Sequence, residues 1–263
     1  MKRILSIFAA LLAGAASAGP ADNVATVDVL PGWRTAQGTH MAALRITLQP
    51  GWKTYWRAPG DAGIPPMIDF GASDNVASAQ FHWPTPQVMD QSGMRSIGYE
   101  DGVVVPVELT PSADGSLRFA GDLVIGVCDE ICVPVQATFD ATLPDVGQRD
   151  SAIVASLINR PSTAAEAGVT AATCAITPMD DGLTVQATLT LPYTGGSEVV
   201  VIEANDPYVW VSEADVTRSG DQLVATSDMI HASADSFALD RSALRFTVFG
   251  TDAVVDIQGC NGG

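Results

Sequence analysis

Asp-Leu-Val-Ile-Gly-Val-Cys-Asp-Glu-Ile-Cys-Val-Pro-Val-Gln-Ala-Thr-Phe-Asp-Ala-Thr-Leu, residues 122–143, places Cys128 and Cys132, with three residues between them, amid two runs rich in β-branched side chains. A disulfide needs Cα atoms roughly 4.4–6.8 Å apart, whereas residues four positions apart on one extended strand are separated by about 13 Å. If the two cysteines are joined, the chain must reverse between them. Asp129-Glu130-Ile131 is then the turn of a β-hairpin, with one cysteine at each strand end.

Working outward, the first half of the chain repeats this β character. Met41–Leu48 alternates, Gly51–Trp56 is aromatic, and Val103–Leu109 and Leu117–Val127 follow, with Pro, Gly and Asp-Gly punctuation between them. This is the pattern of an antiparallel sandwich, and Pro106 inside its run points to an edge strand or a bulge. From Asp150 the period changes. Asp150 is a candidate N-cap, Ile153, Val154, Leu157 and Ile158 recur at helical spacing, and Arg160-Pro161 ends the helix. Ser162–Ala172 is small and polar, a connector. Leu183–Leu191 then alternates cleanly, and Glu198–Glu203, Gln222–Thr226, Ala243–Phe249 and Ala253–Gln258 are further β runs. The expected organisation is a first sandwich over 19–148, a helix and linker over 149–172, and a second, smaller sandwich over 173–263.

At the N-terminus, Lys2 and Arg3 precede an apolar run from Ile4 to Ala16, and Ala16-Ser17-Ala18 is a small-residue cleavage site. Residues 1–18 read as a secretory signal peptide, since the run is shorter than the ~20 residues a spanning helix needs. An exported chain without membrane insertion, and therefore a disulfide-permissive compartment, is expected. The formal charge is −17. Such acidity solvates an exported protein and argues against nucleic acid, because no basic patch is present to neutralise phosphates.

All four cysteines lie beyond the cleavage site, so two disulfides are expected. Cys174 precedes the first strand of the second sandwich and Cys260 follows its last. Joining them closes a long loop, for which the chain-entropy treatment gives roughly 4–5 kcal/mol, the mark of a structural bond. The Cys128/Cys132 loop is so short that its entropic contribution is small. From spacing alone it is either an inert clip or a working pair. Asp129 and Glu130 lie between the sulfurs and disfavour thiolate, which destabilises the reduced form and favours an electron donor.

Val-Cys-Asp-Glu-Ile-Cys-Val-Pro, with Gly-Trp-Lys-Thr-Tyr-Trp-Arg at 51–57, Pro-Gly-Asp-Ala-Gly-Ile-Pro-Pro at 59–66, Trp-Pro-Thr-Pro at 83–86 and Gly-Tyr-Glu-Asp-Gly-Val-Val-Val-Pro-Val at 98–107, resembles the amino-terminal periplasmic domain of DsbD-type and ScsB-type thiol:disulfide interchange proteins. The resemblance covers about residues 30–145. It implies an immunoglobulin-like sandwich whose pair, Cys128 and Cys132 here, takes electrons from a membrane transporter through a thioredoxin-like domain and passes them to oxidised periplasmic proteins. The fold class that follows is all-β: two immunoglobulin-like antiparallel sandwiches joined by a short helix-containing linker. Since the chain ends at Gly263 without transmembrane or thioredoxin-like regions, the electron transporter is expected to be a separate polypeptide, and thioredoxin-like periplasmic proteins are the expected partners.

The three-residue spacing is closer to the ScsB side of the family. Its best-known members shield the disulfide with a loop carrying an aromatic. The corresponding stretch, Met89–Ile97, holds Met89 and Met94 and no aromatic before Tyr99, so these methionines are the candidate cover. Tyr55 and Tyr99 are candidates to hydrogen-bond near the sulfurs, and Trp52, Tyr55, Trp56 and Trp83 form either core packing or a docking platform. An alternative reading is a non-catalytic adaptor with two structural disulfides. A weaker one is copper handling by His82, Met67, Met89 and Met94, none of which stands at ligand spacing. No cofactor and no metal is expected, and no nucleotide loop or hydrolase triad is present in the sequence.

Overall fold

The structure, a computed structural model, describes residues 24–61, 63–91, 94–233 and 237–263. The signal-peptide reading of 1–18 lies outside the described residues, as does Gly93.

The first sandwich comprises β1 (Ala25–Arg34), β2 (His40–Leu48), β3 (Lys53–Tyr55), β4 (Met67–Asp69), β5 (Val76–Phe81), β6 (Gln87–Gln91), β7 (Met94–Glu100), β8 (Gly102–Pro111), β9 (Leu117–Cys128) and β10 (Cys132–Leu143). One sheet runs β1-β2-β8-β5. The other runs β10-β9-β3-β7-β6, with β4 also on β9. Alternation along β2 and β9 sends Leu44, Ile46, Leu123, Ile125 and Val127 into a shared core.

Pro106 does not mark an edge. β8 is a central strand, between β2 and β5. Its carbonyl accepts from His82 N–H just past the end of β5, so the missing N–H points to that same side, where the β5 ladder has already stopped. No β2–β8 bond is lost.

The helix α1 spans Ser151–Ile158, and the Asp150 carboxylate caps it by accepting from Ala152 N–H at 2.7 Å and, more weakly, Ile153 N–H at 3.4 Å. Ile153 is buried with Leu30, Met41 and Ala43, so the helix covers the outer face of the β1-β2-β8 sheet. It is packed onto the first sandwich as well as leading to the second.

The second sandwich comprises β11 (Ser162–Thr163), β12 (Ala171–Met179), β13 (Gly182–Thr190), β14 (Val199–Glu203), β15 (Val209–Val211), β16 (Asp215–Ser219), β17 (Gln222–His231), β18 (Arg245–Phe249), β19 (Val254–Gln258) and β20 (Asn261–Gly262). Its sheets run β11-β19-β18-β14 and β15-β17-β13-β12-β20, with β16 also on β17. The first two residues of the expected connector thus add a short parallel strand to the second sandwich. The rest of the fold is antiparallel apart from β12–β20.

The two sandwiches meet through a cluster of Trp56, Ile97, Tyr99 and Phe249, against which Val199, Val201 and Val254 pack.

Candidate functional site

β9 and β10 pair without a register break from Leu143↔Leu117 up to Cys132↔Cys128. The cysteines are therefore directly opposed, Cα atoms 4.1 Å apart, and joined in a disulfide. Asp129-Glu130-Ile131 is the exposed turn, with Asp129 N–H donating to the Ile131 carbonyl at 3.3 Å. The two cysteines differ sharply in exposure. Cys128 is fully buried and Cys132 is exposed.

β3 sits beside β9, with Lys53 opposite Cys128. Two residues on, and on the same face, Tyr55 places its hydroxyl 2.6 Å from Cys128 Sγ and 3.3 Å from Cys132 Sγ. Disulfide sulfurs carry no proton, so the phenol is the donor. Burial pushes the Tyr55 phenol above its ordinary value, which keeps it protonated at neutral pH.

The ring reaches the sulfur because two glycines make room for it. A Cβ on Gly126 would lie 3.0 Å from the ring edge and 2.6 Å from Ile64 Cβ, and one on Gly63 would lie 2.9 Å from the opposite edge. Thr54 fastens the same strand by donating its hydroxyl to the Gly126 carbonyl at 3.0 Å. The loop between β3 and β4, carrying Gly63 and Ile64, thus holds Tyr55 over the disulfide.

Three of the expected modulators, Met89, Met94 and Tyr99, are elsewhere. In the ladder, Glu100 of β7 shares a row with Lys53 and Cys128. Met94 is six residues further along β7, about 20 Å by strand rise, and Met89 pairs with Ser96, about 13 Å along. The structure does not bring these methionines into the disulfide's row. Tyr99 faces the opposite side of its sheet, opposite Thr54, and donates to the Pro84 carbonyl at 2.8 Å. Of the two tyrosines, Tyr55 is the one at the sulfurs. Its signal in the sequence was the period-two spacing from Lys53, readable only once the register with Cys128 is known. Ile64, Gly63 and Gly126 had no signal of their own.

Trp56 and Tyr55 are buried and Trp52 and Trp83 partly so, which makes this concentration packing and not an exposed platform. The copper set is dispersed. His82 follows β5, facing Glu108 at 3.5 Å, while Met67, Met89 and Met94 belong to strands of the other sheet. Cys174 and Cys260 are bonded, Cα atoms 5.8 Å apart, tying β12 to the segment between β19 and β20.

Residues 22–144 match the family described as thiol:disulfide interchange protein DsbD, N-terminal. The first sandwich belongs to the DsbD N-terminal family. The matched span of this DsbD N-terminal domain ends with β10, so it contains the whole β9–β10 hairpin and β3. The chain is also similar to the crystal structure of the N-terminal periplasmic domain of ScsB from Proteus mirabilis, at 22% identity and a TM-score of 0.66, over 94% of this chain and 97% of that one. At that identity the likeness concerns fold, and it extends beyond the DsbD N-terminal domain to both sandwiches. No curated protein matches the chain by sequence.

Proposed function

We propose that the chain is a periplasmic thiol:disulfide relay, in which Cys128 and Cys132 carry electrons from a separate membrane electron transporter to oxidised thioredoxin-like proteins. The observation that carries this reading is the asymmetric disulfide: Cys132, an exposed residue, is bonded to Cys128, a fully buried one whose sulfur already has a hydrogen-bond donor beside it. Attack on a disulfide is governed by access to one sulfur and by the leaving ability of the other. The reductant's thiolate bonds to Cys132 Sγ, the Cys128–Cys132 bond breaks, and Cys128 leaves as a thiolate beneath the Tyr55 hydroxyl. The reductant's second thiol then releases the reduced pair. In the forward step the Cys132 thiolate attacks the oxidised partner, and Cys128 resolves the mixed disulfide. Cys174–Cys260 serves as a structural bond, its Cys174 end buried in the second core.

Equilibration of the purified protein with a dithiol of known potential tests this. A relay pair is expected above about −300 mV, and a value below that, in the range of inert structural disulfides, removes the proposal. A Cys128→Ser variant, which keeps the attacking sulfur and lacks the resolving one, is expected to accumulate mixed disulfides with thioredoxin-like proteins.

A further inference from the structure

A β-strand sends successive side chains to opposite faces of its sheet. In β3 and the residue after it this puts two contacts back to back. Tyr55 points to the disulfide, while Trp56 points the other way and is fully buried at the junction between the sandwiches. There Trp56 meets Phe249 of β18 edge to face, ring centroids 5.6 Å apart. Arg57 lies over the Trp56 ring at 3.9 Å. Its guanidinium donates to both carboxylate oxygens of Glu203 at the end of β14, each at 2.9 Å, a planar fork with little freedom to shift. A second pair, Arg95 of β7 with Glu213 at 3.1 Å, joins the sandwiches nearby. The Arg95 carbonyl also abuts Gly60, in the loop that leads to Ile64.

We infer that the second sandwich is a positioning element for the redox pair: Glu203 and Phe249 hold Arg57 and Trp56, and through the adjoining peptide bond they hold the Tyr55 hydroxyl on Cys128. The inference rests on the relay reading above and gives the second sandwich a role in it. When a reductant thiolate bonds to Cys132 Sγ, the electron pair of the broken sulfur–sulfur bond goes to Cys128 Sγ. The Tyr55 O–H stabilises that thiolate until it takes a proton from solvent. A donor left free to wander stabilises it less. The leaving thiol then has a higher pKa and departs more slowly. Glu203 and Phe249 belong to the second sandwich, so their effect on the chemistry is indirect and travels through the residues they contact, Arg57 and Trp56 foremost.

The test uses the full chain with Glu203→Gln and Phe249→Leu, each alone and combined with Tyr55→Phe. Reduction by dithiothreitol is followed across pH, the thiolates of the reduced protein are titrated by ultraviolet absorbance, and thermal unfolding is recorded alongside. Each single variant is expected to slow reduction several-fold and to raise the Cys128 pKa, as is Tyr55→Phe. In the Tyr55→Phe background neither is expected to add a further change, because the group they act through is gone. Exchanging the pair, Arg57→Glu with Glu203→Arg, is expected to restore the rate. Unchanged rates and pKa values in both variants, or effects that add fully to Tyr55→Phe, overturn the inference. Phe249→Leu keeps an apolar side chain at the junction and serves if Glu203→Gln does not fold. A wild-type protein that fails to exchange with dithiols sinks the relay reading itself. Normal wild-type exchange with silent variants sinks only the positioning role.

Discussion

At the scale of single residues, the proposed relay turns on one hydroxyl, that of Tyr55. A hydrogen bond to a charged group contributes about 1.5–3 kcal/mol, and Tyr55 makes such a bond only when Cys128 becomes a thiolate. Tyr55→Phe keeps the ring between Gly63 and Gly126 and removes the donor alone. Reduction by dithiothreitol at neutral pH is therefore expected to slow about tenfold with little change in thermal midpoint. Stopped-flow kinetics decide it, and an unaltered rate means the phenol is a packing group only. The turn carboxylates act in the opposite sense. Asp129 and Glu130 are exposed and oppose thiolate formation, whereas Tyr55 favours it at the buried sulfur. Polarity around this pair is thus split between a donor beneath Cys128 and negative charge at the rim beside Cys132.

At the scale of elements, β3 is three residues long and contacts both β9 and β7, so its register determines which side chain meets the sulfurs. A one-residue slip would turn Tyr55 inward and present Thr54 or Trp56 to the disulfide instead. The loop after β3 lets β4 take up pairing with β9 at Met67↔Val124, which leaves the intervening residues free to lie over Gly126. The helix is a separate case. It has 8 residues and no acidic group in its first turn. Its N-cap and its packing through Ile153 do most of the stabilising. Asp150→Ala is expected to cost about 1 kcal/mol, read as a lower urea midpoint, with disulfide exchange unaffected because α1 packs on the sheet that does not carry the cysteines. A loss of exchange activity in that variant would show that the helix bears on the site after all.

At the scale of the whole molecule, the junction between the sandwiches makes its own pH signature. Burial pushes the Tyr99 phenol far above its ordinary value of about 10, because the phenolate is disfavoured there. The unfolded chain ionises this tyrosine near pH 10 and the folded chain does not. Its contribution is therefore complete below pH 10 and declines as pH rises beyond it. Urea midpoints are expected to fall as pH rises above 10, and Tyr99→Phe should flatten that slope. A slope unchanged by the substitution would assign the alkaline loss to other groups. The hairpin, the long alternating runs and the capped helix were all legible in the sequence, because periodicity and capping are local properties of side chains. Pro106 was misleading, since the cost of a missing N–H depends on which neighbour it would have faced. Met89, Met94 and Tyr99 were misplaced for a related reason: nearness in sequence to a motif says nothing about the row a residue occupies in the ladder. The sequence by itself determined two β-sandwiches, a cysteine pair across a turn and the family of the first domain. Only the tertiary structure decided that Cys128 is buried and Cys132 exposed, that Tyr55 is the donor, and that the second sandwich grips the residues beside it. Those features arise from strand register and from two domains closing on one another, and both are fixed by contacts between residues far apart in the chain.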